Sequence, residues 1–160
     1  MKQPSREDLR ALIYREAQLI DAGALDDWYD LFTEDALYWM PLQRGQQEED
    51  VYNALFFEDR LMLKVRIERL KDPNAFSQSP PSHCQHVLQR PEIDGFDANA
   101  GRFSTRTPFM YVESQLDEQF VLAGVAHHEL VVNGGALRIR RKRIELLNRE
   151  AALPSIQLFP

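Results

Sequence analysis

The side chains best equipped for chemistry in this sequence are four histidines, a single cysteine and several acids that stand close to aromatic residues. His127 and His128 are consecutive, and His83 and His86 are three apart. If both pairs lie on strands, residues at odd spacing point to opposite faces, so neither pair converges on one ion without a bulge. One member of each pair, for instance His86 with His128, can face a shared interior, and a carboxylate would have to join them to complete a metal site. Histidines satisfied by hydrogen bonds inside a sheet are the favoured reading, and no metal is assigned. The second available chemistry is proton transfer. Asp30, Glu34 or Asp35, together with Tyr38 and either His86 or His128, has the composition of an isomerase or dehydratase site, provided burial raises a carboxylate. Those three acids border the expected end of a helix, where carboxylates are normally solvated. Cys84 is alone, so no disulfide, four-thiolate zinc site or thiolate-ligated iron–sulfur cluster forms within the chain. No glycine-rich phosphate loop, nucleophile elbow or dinucleotide fingerprint is present, which leaves nucleotide cofactors without support.

The elements that must position these groups follow from periodicity. Ser5 and Asp8 resemble a capped helix start, and Leu9, Leu12, Ile13, Glu16, Leu19 and Ile20 recur at helical spacing until Gly23. Leu25, Trp28, Leu31 and Phe32 line one side of a second, shorter helix that ends at Thr33, with Asp26 and Asp27 at its positive end. Ala36 to Met40, aromatic and stopped by Pro41, reads as a strand, and Gln43 to Asp50 as an acidic, compact loop. Tyr52 to Phe57 is apolar, and Glu58 to Lys71 is helical with Leu61, Met62, Val65 and Arg69 on one stripe. Asn74 to Ser82, carrying Pro80 and Pro81, is a loop. His83 to Ile93, Gly101 to Ser114, Gln119 to Val132 and Ala136 to Asn148 are four long strands, the last two joined by the tight-hairpin residues Asn133, Gly134 and Gly135. Helices first and antiparallel strands afterwards define an α+β domain in which helices cover one face of a curved sheet. That arrangement is a cone with an interior suited to small-molecule sites.

With 160 residues there is room for one domain, spanning 1–160. Nothing resembles a signal peptide or a membrane span, and the lone thiol suits a reducing compartment, so the expected location is the cytoplasm. Fifteen of the nineteen basic residues are Arg, yet the net charge is −6. An acidic chain is a poor ligand for nucleic acid, whereas a guanidinium-rich one suits ion pairs at an interface. Trp28, Tyr29, Phe32, Tyr38 and Trp39, followed by Tyr52, Phe56 and Phe57, form an aromatic concentration next to Arg60, Arg66 and Arg69. These are the residue types that anchor protein interfaces, so they divide between core and partner surface. From Leu137 to Ile144, strict alternation places Arg138, Arg140 and Lys142 on one face and Leu137, Ile139, Arg141 and Arg143 on the other.

Taken in order, the chain resembles the beta, or small, subunit of aromatic-ring-hydroxylating dioxygenases, the Rieske non-haem iron oxygenases. The resemblance rests on Tyr14-Arg15-Glu16-Ala17 and Leu19-Ile20-Asp21. It continues through Trp28, Leu31-Phe32, Glu34-Asp35-Ala36 and Tyr38-Trp39-Met40-Pro41, then Phe57-Glu58-Asp59-Arg60, Leu63, Arg66 and Arg69-Leu70. Pro80-Pro81-Ser82 leading to His86, the final strand from Leu137 to Asn148, and Leu153, Ile156 and Phe159-Pro160 complete it. The loop from Gln43 to Asp50 and Cys84-Gln85 depart from the pattern and leave the substrate branch open. The resemblance implies a cystatin-like or nuclear-transport-factor-like cone, assembled as a trimer within an α3β3 hexamer. The Rieske cluster and mononuclear Fe(II) would belong to the alpha subunit and none to this chain. Trp28, Tyr38, Trp39, Arg60, Arg66, Arg69 and His86 become interface candidates. The competing reading is a free-standing cone-fold isomerase, dehydratase or ligand binder, with Asp30, Tyr38, His86 and His128 in its cavity.

Overall fold

A computed structural model of the chain describes residues 3–46 and 54–160. Tyr52 and the latter part of the expected loop from Gln43 to Asp50 lie outside the described residues. Helix α1 (Arg6–Asp21) opens with the reciprocal cap written in its sequence: Ser5 Oγ accepts from Asp8 N, and the Asp8 carboxylate accepts from Ser5 N. It closes where Gly23, at φ +70°, turns the chain left-handed, so that Ala24 N reaches back to Leu19 O and Gly23 N to Ile20 O. Its buried stripe holds Leu9, Leu12, Ile13, Leu19 and Ile20, with Glu16 in their midst. Helix α2 (Leu25–Tyr29) is shorter than periodicity predicts. Leu31 O accepts from Ile139 N at 2.8 Å, which draws the chain into the sheet, and strand β1 (Phe32–Pro41) starts four residues before the expected Ala36. Glu34 and Asp35 therefore lie on an exposed stretch of strand rather than at a helix end.

Strand β2 (Ala54–Asp59) returns antiparallel to β1, and helix α3 (Arg60–Lys71) follows at once, its N-terminus capped by the Asp59 carboxylate on Met62 N. After a short 3-10 turn (Phe76–Gln78), the expected strand from His83 to Ile93 is two: β3 (His83–Leu88) and β4 (Glu92–Asp97). Both pair with β5 (Arg102–Gln115), β3 along residues 109–114 and β4 along 102–106. Pro91, which has no N–H to give a ladder, falls in the break. Strands β6 (Glu118–Asn133) and β7 (Ala136–Leu146) meet through Gly134 and Gly135, both at positive φ, the two-residue turn that matches strand twist.

The sheet runs β2-β1-β7-β6-β5-β3, with β4 beside β5, and is antiparallel except where β1 lies parallel to β7. Helix α1 packs in its concave face, and one core of Leu, Ile and aromatic residues fills the space between them. This is the α+β architecture expected. The pairing of β6 with β7 slips by one between Leu130↔Ile139 and Glu129↔Arg141, so Arg140 is an extra residue. That bulge reverses the alternation: Ile139, Lys142, Ile144 and Leu146 face inward while Arg141 and Arg143 face out. Strict alternation had set Lys142 beside Arg138 and Arg140, and the slip corrects it. No described helix is long and apolar enough to cross a membrane.

Candidate functional site

The polar centre of the cone is built on Glu16, which has 3% of its side chain exposed. Its Oε1 accepts from Lys142 Nζ at 2.8 Å and from Trp28 Nε1 at 3.2 Å, and its Oε2 meets His128 Nε2 at 2.7 Å. Three elements supply these partners: helix α2 brings Trp28, strand β6 brings His128, and the bulge in β7 turns Lys142 inward. Burial by itself would raise the Glu16 carboxyl, but the Lys142 ammonium and His128 outweigh that cost and hold it well below the usual carboxylate range. The Lys142 ammonium also lies 5.2 Å from the Tyr38 ring centroid. Tyr38 donates its hydroxyl hydrogen to Pro160 O at 2.6 Å, and burial pushes its own ionisation well above the ordinary phenol value.

A second pair closes the end of α1 onto β3. Asp21 Oδ1 lies 2.6 Å from His86 Nδ1, and Asp21 Oδ2 accepts from His86 N at 2.9 Å. Cys84 shares the inward face of β3 with His86, two residues away, and points its thiol at Asp21 Oδ1 from 3.7 Å. Burial, with Asp21 adding to it, pushes that thiol up to about 12, so it stays protonated near neutrality. The ligand atoms of Asp21, Cys84 and His86 lie within 4.8 Å of one another. Both carboxylate oxygens are already engaged by His86, however, and the thiol is not a thiolate, so the trio functions as a clamp between helix and sheet.

His86 and His128 do both face inward, as spacing predicted, while His127 lies on the other face near Glu145. Each inward histidine is held by a carboxylate of α1, and neither Asp21 nor Glu16 had been singled out as a partner. The signal for Glu16 is its place as an acid on an otherwise apolar helical stripe, which calls for a buried partner. The space between them is small. A cavity of about 20 Å³, lined among others by Glu16, His86, Thr107, His128 and Lys142, admits about one water molecule. Asp30 is exposed beyond α2 and does not reach it, so the four-residue cavity site of the competing reading is not assembled. Glu34 and Asp35 face solvent and pair with Arg60 and Arg140.

The interface candidates divide the same way. Trp28 and Tyr38 are completely buried, and the His86 side chain is 4% exposed, so none of the three has surface to offer a partner. Their aromatic or ring character serves the core: Trp28 and Tyr38 pack edge-on to neighbouring rings, and His86 packs against Tyr111. Trp39 lies on the face of β1 opposite Tyr38 and walls a groove with Leu37, Arg141 and Arg143, but at 5% exposure it is as closed as His86 and likewise offers a partner no surface. Arg60 lies over the Tyr29 ring and Arg66 over Phe56, the latter also paired with Glu58 at 2.8 Å. Arg69 is exposed, in company with exposed Leu61, Met62 and Val65 on α3 and with Phe76 just beyond.

The cone thus holds Glu16, His128 and Lys142 around a small inner cavity, and its outer helix α3 shows apolar and guanidinium groups. The chain belongs to the ring hydroxylating beta subunit family, which it matches over residues 15–151. It is 31% identical over 152 residues to the small oxygenase component of the p-cumate 2,3-dioxygenase system of Pseudomonas putida, covering 94% of this chain and 83% of that one. The beta subunit of the benzoate 1,2-dioxygenase of Burkholderia mallei has the same fold, with a TM-score of 0.78 at 24% identity over 99% of this chain and 100% of the other. An NTF2-like protein with a cystatin-like fold from Novosphingobium aromaticivorans superposes with a TM-score of 0.62 at 16% identity, covering 89% of this chain and 82% of its own. The sequence resemblance and the cone it implied are thereby established, and the chain is the small-subunit type of component of multicomponent ring-hydroxylating dioxygenases.

Proposed function

We propose that this chain is a structural subunit that holds catalytic large subunits in an α3β3 assembly, itself contributing a trimer, in the cytoplasm. The carrying observation is the filled interior: about 20 Å³ beside Glu16 and His128 leaves no room for an aromatic substrate. The donor groups agree. A Rieske centre takes two Cys and two His, and Cys84 is the one cysteine in the sequence. His86 and His128 are each tied to a different α1 carboxylate, so they do not form a two-His-one-carboxylate iron site. These residues do not fit either iron group, and both are assigned to the large subunit. Arg60, Arg66 and Arg69 are the candidate partner-facing groups. The reaction of the assembled enzyme is addition of both atoms of O2 to an aromatic ring with NAD(P)H as electron donor. The relative named for p-cumate, an aromatic carboxylate, makes substituted benzoates the first substrates to assay.

The test is co-expression with a large subunit of this enzyme class, followed by native mass measurement and iron analysis. Equimolar, iron-containing hexamer, with iron lost when the large subunit is omitted, is the expected result. A purified chain that is monomeric, ignores the large subunit and dehydrates or isomerises a small substrate by itself would overturn the proposal.

A further inference from the structure

The two histidine–carboxylate pairs meet across the small inner cavity, and each leaves one ring nitrogen unused. His86 turns Nδ1 to Asp21 at 2.6 Å, and His128 turns Nε2 to Glu16 at 2.7 Å. A carboxylate oxygen only accepts, so in each ring the nitrogen that faces it carries the proton. The other nitrogens, His86 Nε2 and His128 Nδ1, are buried without a hydrogen-bond partner among the described residues, and the same holds for Thr107 Oγ1 on β5. All three residues line the cavity of about 20 Å³. Buried polar atoms are nearly always paired, because an unmade bond costs the full desolvation of the group. Three such atoms around one cavity therefore call for a ligand.

Size and charge narrow what that ligand is. The volume accommodates a single non-hydrogen atom. Glu16 and Lys142 line the same cavity with opposite charges 2.8 Å apart, which leaves no net charge to attract an ion. With one proton of each ring committed to a carboxylate, the two free ring nitrogens are acceptors, so the ligand must donate twice. The Thr107 hydroxyl has a hydrogen to give, so the ligand must also accept. Two donated bonds and one accepted bond on one neutral heavy atom describe water.

We propose that the cone interior is a specific site for one water molecule, which donates to His86 Nε2 and His128 Nδ1 and accepts from Thr107 Oγ1. The water joins the two pairs into one hydrogen-bonded chain, from Asp21 through His86 and His128 to Glu16 and Lys142, and so ties β3 to β6 and β7 beneath helix α1. It also fixes the tautomers, with the proton on Nδ1 of His86 and on Nε2 of His128. This site is separate from the assembly role proposed above, and its test reads a solvent molecule and two rings rather than subunit association.

The experiment is NMR on the full chain with nitrogen-15 histidine, and water itself is the probe. Rotating-frame spectra should show dipolar cross-peaks from a long-lived water to His86 Hδ2 and Hε1 and to His128 Hε1, the ring hydrogens beside the free nitrogens. His128 Hδ2, on the Glu16 side, should show none. Long-range nitrogen–proton spectra should place the unprotonated nitrogen at Nε2 of His86 and at Nδ1 of His128. Thr107→Val keeps the shape of the side chain but removes the bond that the water accepts, so its residence time, read from oxygen-17 relaxation dispersion, should fall roughly tenfold. Thr107→Ser returns the hydroxyl and should restore the wild-type value. If Thr107→Val fails to fold, the wild-type cross-peaks and tautomers decide. No water cross-peak to either ring, the opposite tautomer on either histidine, an unchanged residence time in folded Thr107→Val, or a Thr107→Ser chain no better than Thr107→Val would each overturn the proposal.

Discussion

Glu16, Lys142 and His128 form a buried polar cluster whose charges depend on one another. Removing a single partner leaves an uncompensated buried charge, so Lys142→Met should cost about 3–5 kcal/mol in urea denaturation, whereas Glu16→Leu with Lys142→Met should recover most of it. The pH dependence has a definite sign. Glu16 is held below its ordinary 4.5, so its contribution to stability is complete above that pH and is lost as pH falls toward the folded-state value. Wild type should therefore lose more stability than Glu16→Gln between about pH 5 and pH 2 in denaturation series. At this scale the sequence was half legible. The inward direction of His86 and His128 followed from period two, but their carboxylates lie 65 and 112 residues away in the chain, a distance that local spacing does not bridge. Residue type and family resemblance make Trp28, Tyr38 and His86 interface candidates, and neither distinguishes a core ring from an interface ring.

At the scale of elements, the caps and the hairpin were readable because Ser5, Gly23 and Gly134-Gly135 act within a few residues of themselves. The start of β1 was not, because it is set by pairing with β7, and neither was the bulge at Arg140, whose register depends on β6. Deleting Arg140, the extra residue, removes the slip and leaves Ile139, Lys142 and Ile144 facing inward in regular alternation. The expected outcome is a chain that keeps a dispersed NMR spectrum and a cooperative thermal transition, having lost the Arg140 ion pair with Asp35, whereas inserting one residue after Ile144 should turn Leu146 out of the core and lower the melting temperature. A second prediction concerns the close approach of β6 and β7 at Gly124, where an added Cβ would lie 2.4 Å from Glu145 O. Gly124→Ala should thus cost about 1–3 kcal/mol as the two backbones are forced apart, read as a lower midpoint in thermal or urea melts.

For the whole molecule, no single motif identified the family; the order of many weak ones along the chain did, because a shared fold constrains them together. What order does not reveal is which surface meets a partner. Among the described residues, the exposed face of α3, with Leu61, Met62, Val65 and Arg69, and the outer sheet residues Val87, Met110, Val121 and Leu147 are two candidates. Leu61→Asp with Arg69→Ala should reduce recovery of the large subunit in co-purification while leaving the circular dichroism and melting temperature of the isolated chain unchanged. If recovery is unaffected, the sheet patch is the surface to mutate next.

The parallel pairing of β1 with β7 also governs how the chain comes off the ribosome. Phe32–Pro41 is synthesised early, yet its partner Ala136–Leu146 emerges about a hundred residues later. Until then this aromatic-rich strand has β2 on one edge and no partner on the other, so the nascent chain carries an open, sticky border until β7 emerges. Chaperone occupancy on translating ribosomes should peak in that interval and drop once β7 clears the exit tunnel.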